Sequence, residues 1–211
     1  MSKDTALLMN GRQTRDRGSE RGGGAALLQE LRQRLAGWRP QFIGTLMFIR
    51  DRRRVLLIRK KRGLGAGRIN APGGKIEAGE SPLACAMRET REEIGVTVRQ
   101  ATLMAELRFV ERVDQQWYGY AFVASDFAGT PTETVEATPH WFADADIPYG
   151  EMWEDDRLWL PHLLAGRFVK ADFLFESSAA LAHQLQWTAM RHGGIKLSSP
   201  GTPSGTMGVS R

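Results

Sequence analysis

Apolar side chains recur along the middle of the chain with two different periods. Short runs that are rich in β-branched and aromatic residues predict strands. These runs are 41–49, 54–58, 100–112, 117–124 and 138–142. Two other segments, 82–94 and about 156–165, carry apolar residues at helical spacing. Strands with two intervening helices predict an α/β or α+β domain built on a mixed sheet.

The helix at 82–94 has well-marked ends. Ser81 is a favourable N-cap residue, and Pro82 stands at the first helical position, where a backbone N–H would have no helical partner. Gly95 follows the last apolar residue and is suited to end the helix. These signals predict both boundaries of the helix.

The segments between the apolar runs predict turns and loops. The charged segment 50–53 lies between the first two strands and predicts a hairpin. Segment 63–74 contains five glycines and predicts a loop. The start of the helix at about 156–165 stays open, because Pro161 is expected to be tolerated only in a first turn.

Both ends of the chain differ from its middle. Segment 1–24 has five basic and three acidic side chains and a Gly-Gly-Gly run, which predicts a disordered basic arm. Segment 25–38 predicts an extra amphipathic helix, and 193–211 predicts a flexible tail. The main domain then covers 42–187. The leucines at helical spacing in the extra helix are Leu27, Leu28, Leu31 and Leu35. We expect a monomer, with a partner contact through these leucines left open.

Charge changes the picture, because its layout differs from its total. The net charge of +5 at first suggests a polyanionic partner. Segment 50–62, however, holds eight basic and one acidic side chain, whereas 133–156 holds eight acidic side chains and no lysine or arginine. The basic segment contains no aromatic residue that could stack on a base. We therefore do not expect a nucleic-acid polymer as partner.

Composition limits the cellular setting. No apolar run approaches the roughly 20 residues that span a bilayer, so no membrane association is expected. The single cysteine, Cys85, excludes an internal disulfide and fits a reducing compartment, which predicts a cytoplasmic protein. Cys85 lies inside a predicted helix and is expected to be a small core residue, not a nucleophile.

The chemistry is concentrated on the helix at 82–94. Glu89, Glu92 and Glu93 share one helix face, where like charges oppose helix formation by a few tenths of a kcal/mol per pair. A hard divalent cation such as Mg²⁺ would compensate this repulsion and would also bind phosphate oxygens. The alternative is a solvated acidic face that is partly neutralised by Arg88 and Arg91.

The spacing around these glutamates resembles the Nudix box of pyrophosphohydrolases, Gly-x5-Glu-x7-Arg-Glu-U-x-Glu-Glu-x-Gly-U, where U is aliphatic. The matching residues are Gly74, Glu80, Arg88, Glu89, Glu92, Glu93 and Gly95. Thr90 is the one departure, at an aliphatic position. We expect Glu80 and Arg88 to brace the loop against the helix.

The Nudix resemblance implies a mixed sheet sandwiched between helices. It also implies a metal site of one to three Mg²⁺ ions, with Mn²⁺ as the alternative. The implied metal ligands are Gly73, Glu89, Glu92, Glu93 and Glu136. The same glutamates of the helix, Glu89, Glu92 and Glu93, are the implied catalytic residues, and which of them is the general base stays open.

Two further segments are similar to oxidised purine nucleoside triphosphate hydrolases. They are 60–70 and 152–156, the latter together with Trp159. The similarity implies that a base pocket is formed by Asn70, Trp153, Asp155 and Asp156. It implies that Thr45 and Lys60 also contact the substrate. Leu64, Ile69 and Pro72 depart from the aromatic residues of that subfamily and alter the expected pocket wall.

The neighbouring aspartates also have a physical interpretation of their own. Two adjacent carboxyls in a partly dry pocket resist simultaneous ionisation, so one can donate a proton while the other accepts. Such a pair can meet different edges of an oxidised guanine or a 2-oxo-adenine. The alternative is that Asp155 caps the following helix. Trp153 and Trp159 are six residues apart, and either could be core, with Trp153 the choice for stacking on a purine.

The sequence therefore predicts a Mg²⁺-dependent hydrolase in nucleotide-pool sanitation. It would convert purine nucleoside triphosphates, oxidised ones such as 8-oxo-dGTP and 2-oxo-dATP, to the monophosphate and pyrophosphate. One alternative is hydrolysis of another nucleoside diphosphate derivative, such as ADP-ribose or a dinucleoside polyphosphate. The other is a Nudix-fold binding module without turnover, a class that commonly lacks one of the metal-binding glutamates.

Overall fold

Strands dominate the part of the chain that the computed structural model describes, which is residues 10–16, 23–177 and 179–190. The strands are β1 Asn10–Asp16, β2 Phe42–Asp51, β3 Arg54–Lys60, β4 Ile69–Asn70, β5 Thr97–Glu111, β6 Trp117–Ala128, β7 Ala137–Ala143, β8 Arg167–Glu176 and β9 Ala179–Ala189. The helices are α1 Gly23–Leu35, α2 Pro82–Ile94 and α3 Asp156–Leu164. The predicted tail at 193–211 lies outside the described residues.

The strands form one mixed sheet in the order β1-β9-β8-β5-β6-β2-β3-β4, with β7 paired to β3. Strand β2 runs parallel to β6, and β5 runs parallel to β8. The other pairs are antiparallel. The predicted mixed sheet is confirmed.

Alternation along β2 shows how the helices cover the sheet. Phe48 packs in the cluster that contains Trp159 of α3, whereas its neighbour Met47 packs in the cluster that contains Ile94 of α2. Successive side chains of a strand point to opposite faces, so α2 and α3 cover opposite faces of the sheet. The predicted sandwich of a sheet between helices is confirmed.

Helix α2 begins and ends where its sequence signals predict. The Ser81 hydroxyl accepts a hydrogen bond from the Ala84 N–H at 3.2 Å, and Gly95 ends the helix in the left-handed conformation with φ of 72°. Thr90, the departure from the Nudix box, is buried. Its hydroxyl donates to the Ala86 carbonyl at 2.7 Å, so it leaves no unsatisfied polar group in the core.

The N-terminal part of the chain joins the same sheet. The prediction of a disordered arm is wrong for Asn10–Asp16, which pairs antiparallel with β9 through backbone hydrogen bonds that its polar composition does not reveal. Residues 1–9 and 17–22 lie outside the described part of the chain. Leu31 of α1 is completely buried against Val110, Leu174 and Ala182. The leucine stripe therefore contacts the sheet of its own chain.

The second half of the chain departs from the sequence prediction in two respects. Strands β8 and β9 were not predicted at all. Pro161 is the sixth residue of α3, so the prediction that it must lie in the first turn is wrong. It removes one helical hydrogen bond, to the carbonyl of Arg157, and that residue is exposed to water, which can hydrate the carbonyl.

Within the predicted loop 63–74, Ile69–Asn70 forms the short strand β4.

Membrane insertion through helices finds no support in this fold. None of the helices in the described residues has the length and apolar character that a bilayer span requires.

Replacing Leu31 by Ala tests whether α1 is part of the folded domain. We expect the free energy of unfolding to fall by about 2–5 kcal/mol, because a buried leucine is replaced by a cavity. Urea unfolding followed by circular dichroism measures the loss. Gln33→Ala, at an exposed position of the same helix, is the control and should change stability by less than about 0.5 kcal/mol. Equal effects of the two variants would contradict the docking of α1.

Candidate active site

Glu93 is the buried carboxylate of α2, with 1% of its surface exposed. Its Oε2 accepts a hydrogen bond from the Gly73 N–H at 2.9 Å, and its Oε1 lies 3.1 Å from the Lys60 ammonium. Burial raises the pKa of Glu93, and the charge of Lys60 and the Gly73 N–H oppose that rise. Glu93 is therefore a buried acid held between a strand and a loop.

Two glycines allow the loop before α2 to approach the helix closely. A Cβ on Gly74 would lie 2.2 Å from the carboxyl carbon of Glu89, so only glycine leaves room for this carboxylate. A Cβ on Gly73 would lie 1.9 Å from the backbone oxygen of Thr45. The Thr45 N–H in turn donates to the Gly74 carbonyl at 2.9 Å. Gly73–Gly74, the glycine loop, is thus fixed between β2 and α2.

Arg88 neutralises the acidic face of α2. It donates two hydrogen bonds to the Glu80 carboxylate, at 2.9 and 3.0 Å, and this confirms the predicted brace between loop and helix. It also contacts Glu89 at 2.8 Å and Glu92 at 3.1 Å. The hydrogen bonds from Arg88 lower the pKa of Glu80 to about 2. Glu92 is the most exposed of the α2 glutamates, with 57% of its side chain accessible.

The residues around the glycine loop fit a divalent cation in their chemistry. They offer hard carboxylate oxygens at a position where Gly74 leaves a side-chain-free space. In the described part of the chain, however, no three acidic, histidine or cysteine side chains converge on one point. Lys60 and Arg88 place positive charges next to Glu93 and Glu89, and these charges reduce the repulsion between the glutamates that the sequence predicts.

Glu136, the predicted additional ligand, pairs with another partner. Its carboxylate forms an ion pair with Arg62, and the structure does not group it with the glutamates of α2. Its loop does reach the end of that helix, since the Thr134 hydroxyl donates to the Glu93 carbonyl at 2.8 Å. The loop therefore contacts α2, while the Glu136 carboxylate is paired with Arg62.

Asp155 and Asp156, the aspartate pair, are both buried at the start of α3. Asp155 Oδ2 accepts a hydrogen bond from Trp159 Nε1 at 3.0 Å, and Asp156 Oδ2 accepts one from the Trp153 N–H at 3.0 Å. Burial raises the pKa of both carboxyls, and the charge of Asp155 raises that of Asp156 further. Asp155 occupies the N-cap position of α3 but makes no side-chain capping bond, so the alternative that its carboxylate caps the helix is wrong.

The two tryptophans near the aspartate pair have different environments. Trp159 is completely buried and packs edge-on against Phe48, with ring centroids 5.7 Å apart. Trp153 is half-buried, and the guanidinium carbon of Arg68 lies 4.5 Å from its ring centroid. Asn70, another predicted pocket residue, is half-buried in β4 and accepts the Ala71 N–H at 2.8 Å. Trp153 is thus the accessible stacking residue of the two.

Thr45, a predicted substrate contact, lies beside the glycine loop. It is buried, and its hydroxyl donates to the sulfur of Cys85 at 3.4 Å, so the side chain ties β2 to α2. Cys85 is a free and buried thiol, as predicted for a core residue. Burial raises its pKa to about 11, which keeps it protonated and unreactive near neutral pH.

Sequence reasoning missed three residues beside the glycine loop. The Lys75 ammonium lies 3.5 Å from the ring centroid of Phe42 and 5.5 Å from that of Trp117. Phe42 and Trp117 are neighbours in the parallel register of β2 and β6, which no local pattern reveals. The position of Lys75 directly after Gly73–Gly74 was the one signal that could have found it.

The structure is a mixed sheet between helices, with the glycine loop and buried Glu93 on the side of α2 and the buried aspartate pair at the start of α3. The chain belongs to the NUDIX family, since the NUDIX domain model matches residues 40–163. NUDIX hydrolases act on phosphoanhydride bonds and generally need a divalent metal.

Two curated relatives and one solved structure are similar to the chain over most of their own length. The oxidized purine nucleoside triphosphate hydrolase of Danio rerio is 37% identical over 137 residues, which cover 63% of this chain and 85% of that protein. The protein of the same description from Mus musculus is 38% identical over the same shares. The MutT protein of Bacillus halodurans has a TM-score of 0.62 and 28% identity, over 68% of this chain and 97% of its own.

The two glycines of the loop predict different defects when each is replaced by Ala. In Gly74→Ala the new Cβ meets the flexible end of Glu89, so we expect weaker divalent-metal binding with a stability loss below about 1 kcal/mol. In Gly73→Ala it meets the backbone of Thr45, so we expect a loss above about 2 kcal/mol. Urea unfolding and Mn²⁺ titration followed by electron paramagnetic resonance separate the two. Equal stability losses would count against this geometry.

The Glu80–Arg88 brace predicts a pH-dependent contribution to stability. The folded pKa of Glu80, about 2, lies below its usual value of 4.5, so the carboxylate stabilises the fold above pH 4.5 and ceases to do so as pH falls toward 2. Glu80→Gln should therefore cost about 1–2 kcal/mol at pH 7 and progressively less between pH 4.5 and 2. Urea unfolding along this pH series measures the difference.

The control for this series is Glu77→Gln, an exposed glutamate of the same loop. It should change stability little at any pH. A Glu80→Gln effect that did not shrink on acidification would show that the brace does not depend on the carboxylate charge.

Proposed function

We propose that this chain is a Mg²⁺-dependent hydrolase that converts oxidised purine nucleoside triphosphates to the monophosphate and pyrophosphate. The observation that carries the proposal is the buried aspartate pair, which accepts the backbone N–H of the half-buried Trp153, in a chain that also holds every glutamate of the Nudix box. The two relatives described as oxidized purine nucleoside triphosphate hydrolases support the same substrate class.

The polyphosphate end of the substrate would bind at the glycine loop. Glu89, Glu92 and Glu93 would hold Mg²⁺, or Mn²⁺ in its place, which when bound neutralises phosphate charge and lowers the pKa of a water ligand. The backbone of Gly73 keeps the Glu93 carboxylate in position through its N–H. Lys60, 3.1 Å from Glu93, places a second positive charge at the same end of the site.

The base would be read by the aspartate pair. Because burial disfavours two negative charges at neighbouring positions, one carboxyl retains its proton and can donate a hydrogen bond. The other carboxyl is ionised and can accept a hydrogen bond. A donor and an acceptor that can exchange roles suit both 8-oxo-guanine and 2-oxo-adenine, whose edges differ in donors and acceptors. Asn70 is the further polar group proposed for this pocket.

The proposal extends to the oligomeric state and the cellular location of the protein. A monomer is supported by α1, since Leu31 is buried within its own chain and leaves no leucine stripe free for a partner. A hydrolase of the nucleotide pool acts where free triphosphates are present, which supports the cytoplasm.

Steady-state kinetics on a panel of nucleotides test the substrate class. With Mg²⁺ present, we expect kcat/KM to be higher for 8-oxo-dGTP and 2-oxo-dATP than for dGTP and ADP-ribose, with pyrophosphate as product. Glu93→Gln should lower turnover by about 100-fold or more on every substrate, because it removes the buried carboxylate. Asp156→Asn should lower the ratio of 8-oxo-dGTP to dGTP by about 10-fold while dGTP cleavage persists.

The controls keep the two halves of the proposal apart. If ADP-ribose has the highest kcat/KM, the substrate class is wrong although the chain is a hydrolase. If Glu93→Gln retains full activity, the role of the α2 glutamates is wrong. An equal loss on every substrate in Asp156→Asn would count against a base pocket at the aspartate pair.

A further inference from the structure

Arg68, which contacts Trp153, is not among the metal-binding or base-reading residues named above. The guanidinium carbon of Arg68 lies 4.5 Å from the indole centroid, which is the geometry of a cation–π stack. Because Arg68 covers one face of the half-buried indole, a planar base can stack only on the opposite face.

Arg68 is itself held in place from two sides. Its Nη1 donates to the Met152 carbonyl at 3.0 Å, and its backbone N–H donates to the Gly65 carbonyl at 2.9 Å. Gly65 also lies against the indole, since a Cβ at that position would be 3.3 Å from the Trp153 ring. The loop between β3 and β4 is therefore clamped to the segment before α3 through Arg68.

The segment that Arg68 binds is hydrogen-bonded to the aspartate pair. The backbone N–H of Trp153, one residue after the Met152 carbonyl that Arg68 binds, donates to Asp156 Oδ2 at 3.0 Å. We propose that Arg68 is a positioning residue of the base pocket, which holds Trp153 flat for purine stacking and places a positive charge beside the aspartate pair. This inference rests on the proposed function, because it assigns a role within the same pocket.

The charge of Arg68 bears on how the aspartate pair holds its proton. The ionisable groups that face the pair are Glu154, Tyr149 and Arg68, besides the two carboxyls themselves. Burial raises the pKa of Asp156 most, the charge of Asp155 raises it further, and Arg68 opposes both. Removing the charge of Arg68 should raise the pKa of the pair, so the shared proton would be lost only at higher pH.

Two substitutions separate the stacking role from the charge role. Lysine keeps the positive charge but lacks the planar guanidinium that stacks on an indole, and glutamine lacks both features. Arg59→Gln is the matched control. Arg59 also joins the same two loops, by contacts to the Gly67 carbonyl and to Glu151. Within the described residues, the guanidinium that stacks on Trp153 is that of Arg68 and not that of Arg59.

The first experiment measures kcat/KM for 8-oxo-dGTP and dGTP between pH 5 and 9. In Arg68→Lys and Arg68→Gln kcat/KM should fall about 3- to 10-fold for both substrates, because both variants lose the planar stack behind Trp153. In Arg68→Gln alone the decline of 8-oxo-dGTP hydrolysis with rising pH should move to higher pH. Arg59→Gln should match the wild type in both measurements.

The second experiment needs no substrate. Carbon-13 NMR of the aspartate carboxyls, in nucleotide-free protein, should show the pair titrating at higher pH in Arg68→Gln and at the wild-type position in Arg68→Lys. An unchanged titration in Arg68→Gln together with unchanged kcat/KM values would overturn the proposal. If no purine triphosphate is hydrolysed by the wild type, the proposed function fails, whereas the NMR result still decides the role of Arg68.

Discussion

The burial of Glu93 is the constraint on which the arrangement of β3, the glycine loop and α2 depends. A carboxylate with 1% exposure is stable only when it is paired, and its partners come from two separate parts of the chain. Lys60 comes from the end of β3, the Gly73 N–H comes from the loop after β4, and the helix itself supplies Glu93. The close contact of Gly73 with the Thr45 carbonyl then fixes the loop against β2. Satisfying one buried charge thus assembles the strand, the loop and the helix into one site.

The period of two along β3 explains how one strand serves both faces of the sheet. Lys60 points to the face of α2 and reaches Glu93, whereas Arg59, one residue earlier, reaches Glu151 in the segment before α3. The acidic groups are distributed in the same way, with the glutamates on α2 and the aspartate pair at the start of α3. The sheet therefore separates two acidic clusters, and the ends of β3 and β4 connect them.

How much the sequence predicts depends on whether the signal is local. Ser81, Pro82 and Gly95 are adjacent to the helix that they delimit, so both ends of α2 are predictable. The brace between Glu80 and Arg88 is predictable because both residues belong to one motif. By contrast, the ion pair of Glu136 with Arg62 and the pairing of Phe42 with Trp117 depend on strand register, which brings together residues 74 and 75 positions apart. Strand β1 was missed because backbone pairing, not an apolar pattern, holds it on β9.

The departures from the subfamily pattern bear on the pocket wall in different ways. Ile69 is completely buried, and Pro72 is also buried, with its carbonyl accepting the Met47 N–H at 2.8 Å, so both lie behind the surface that a ligand could touch. Leu64 is 64% exposed and offers no aromatic ring. Stacking near the aspartate pair then depends on Trp153 and on what keeps its ring in place. Since Arg68 covers one face of that ring, the proposed base pocket would rely on a cation–π contact more than on an enclosed aromatic wall.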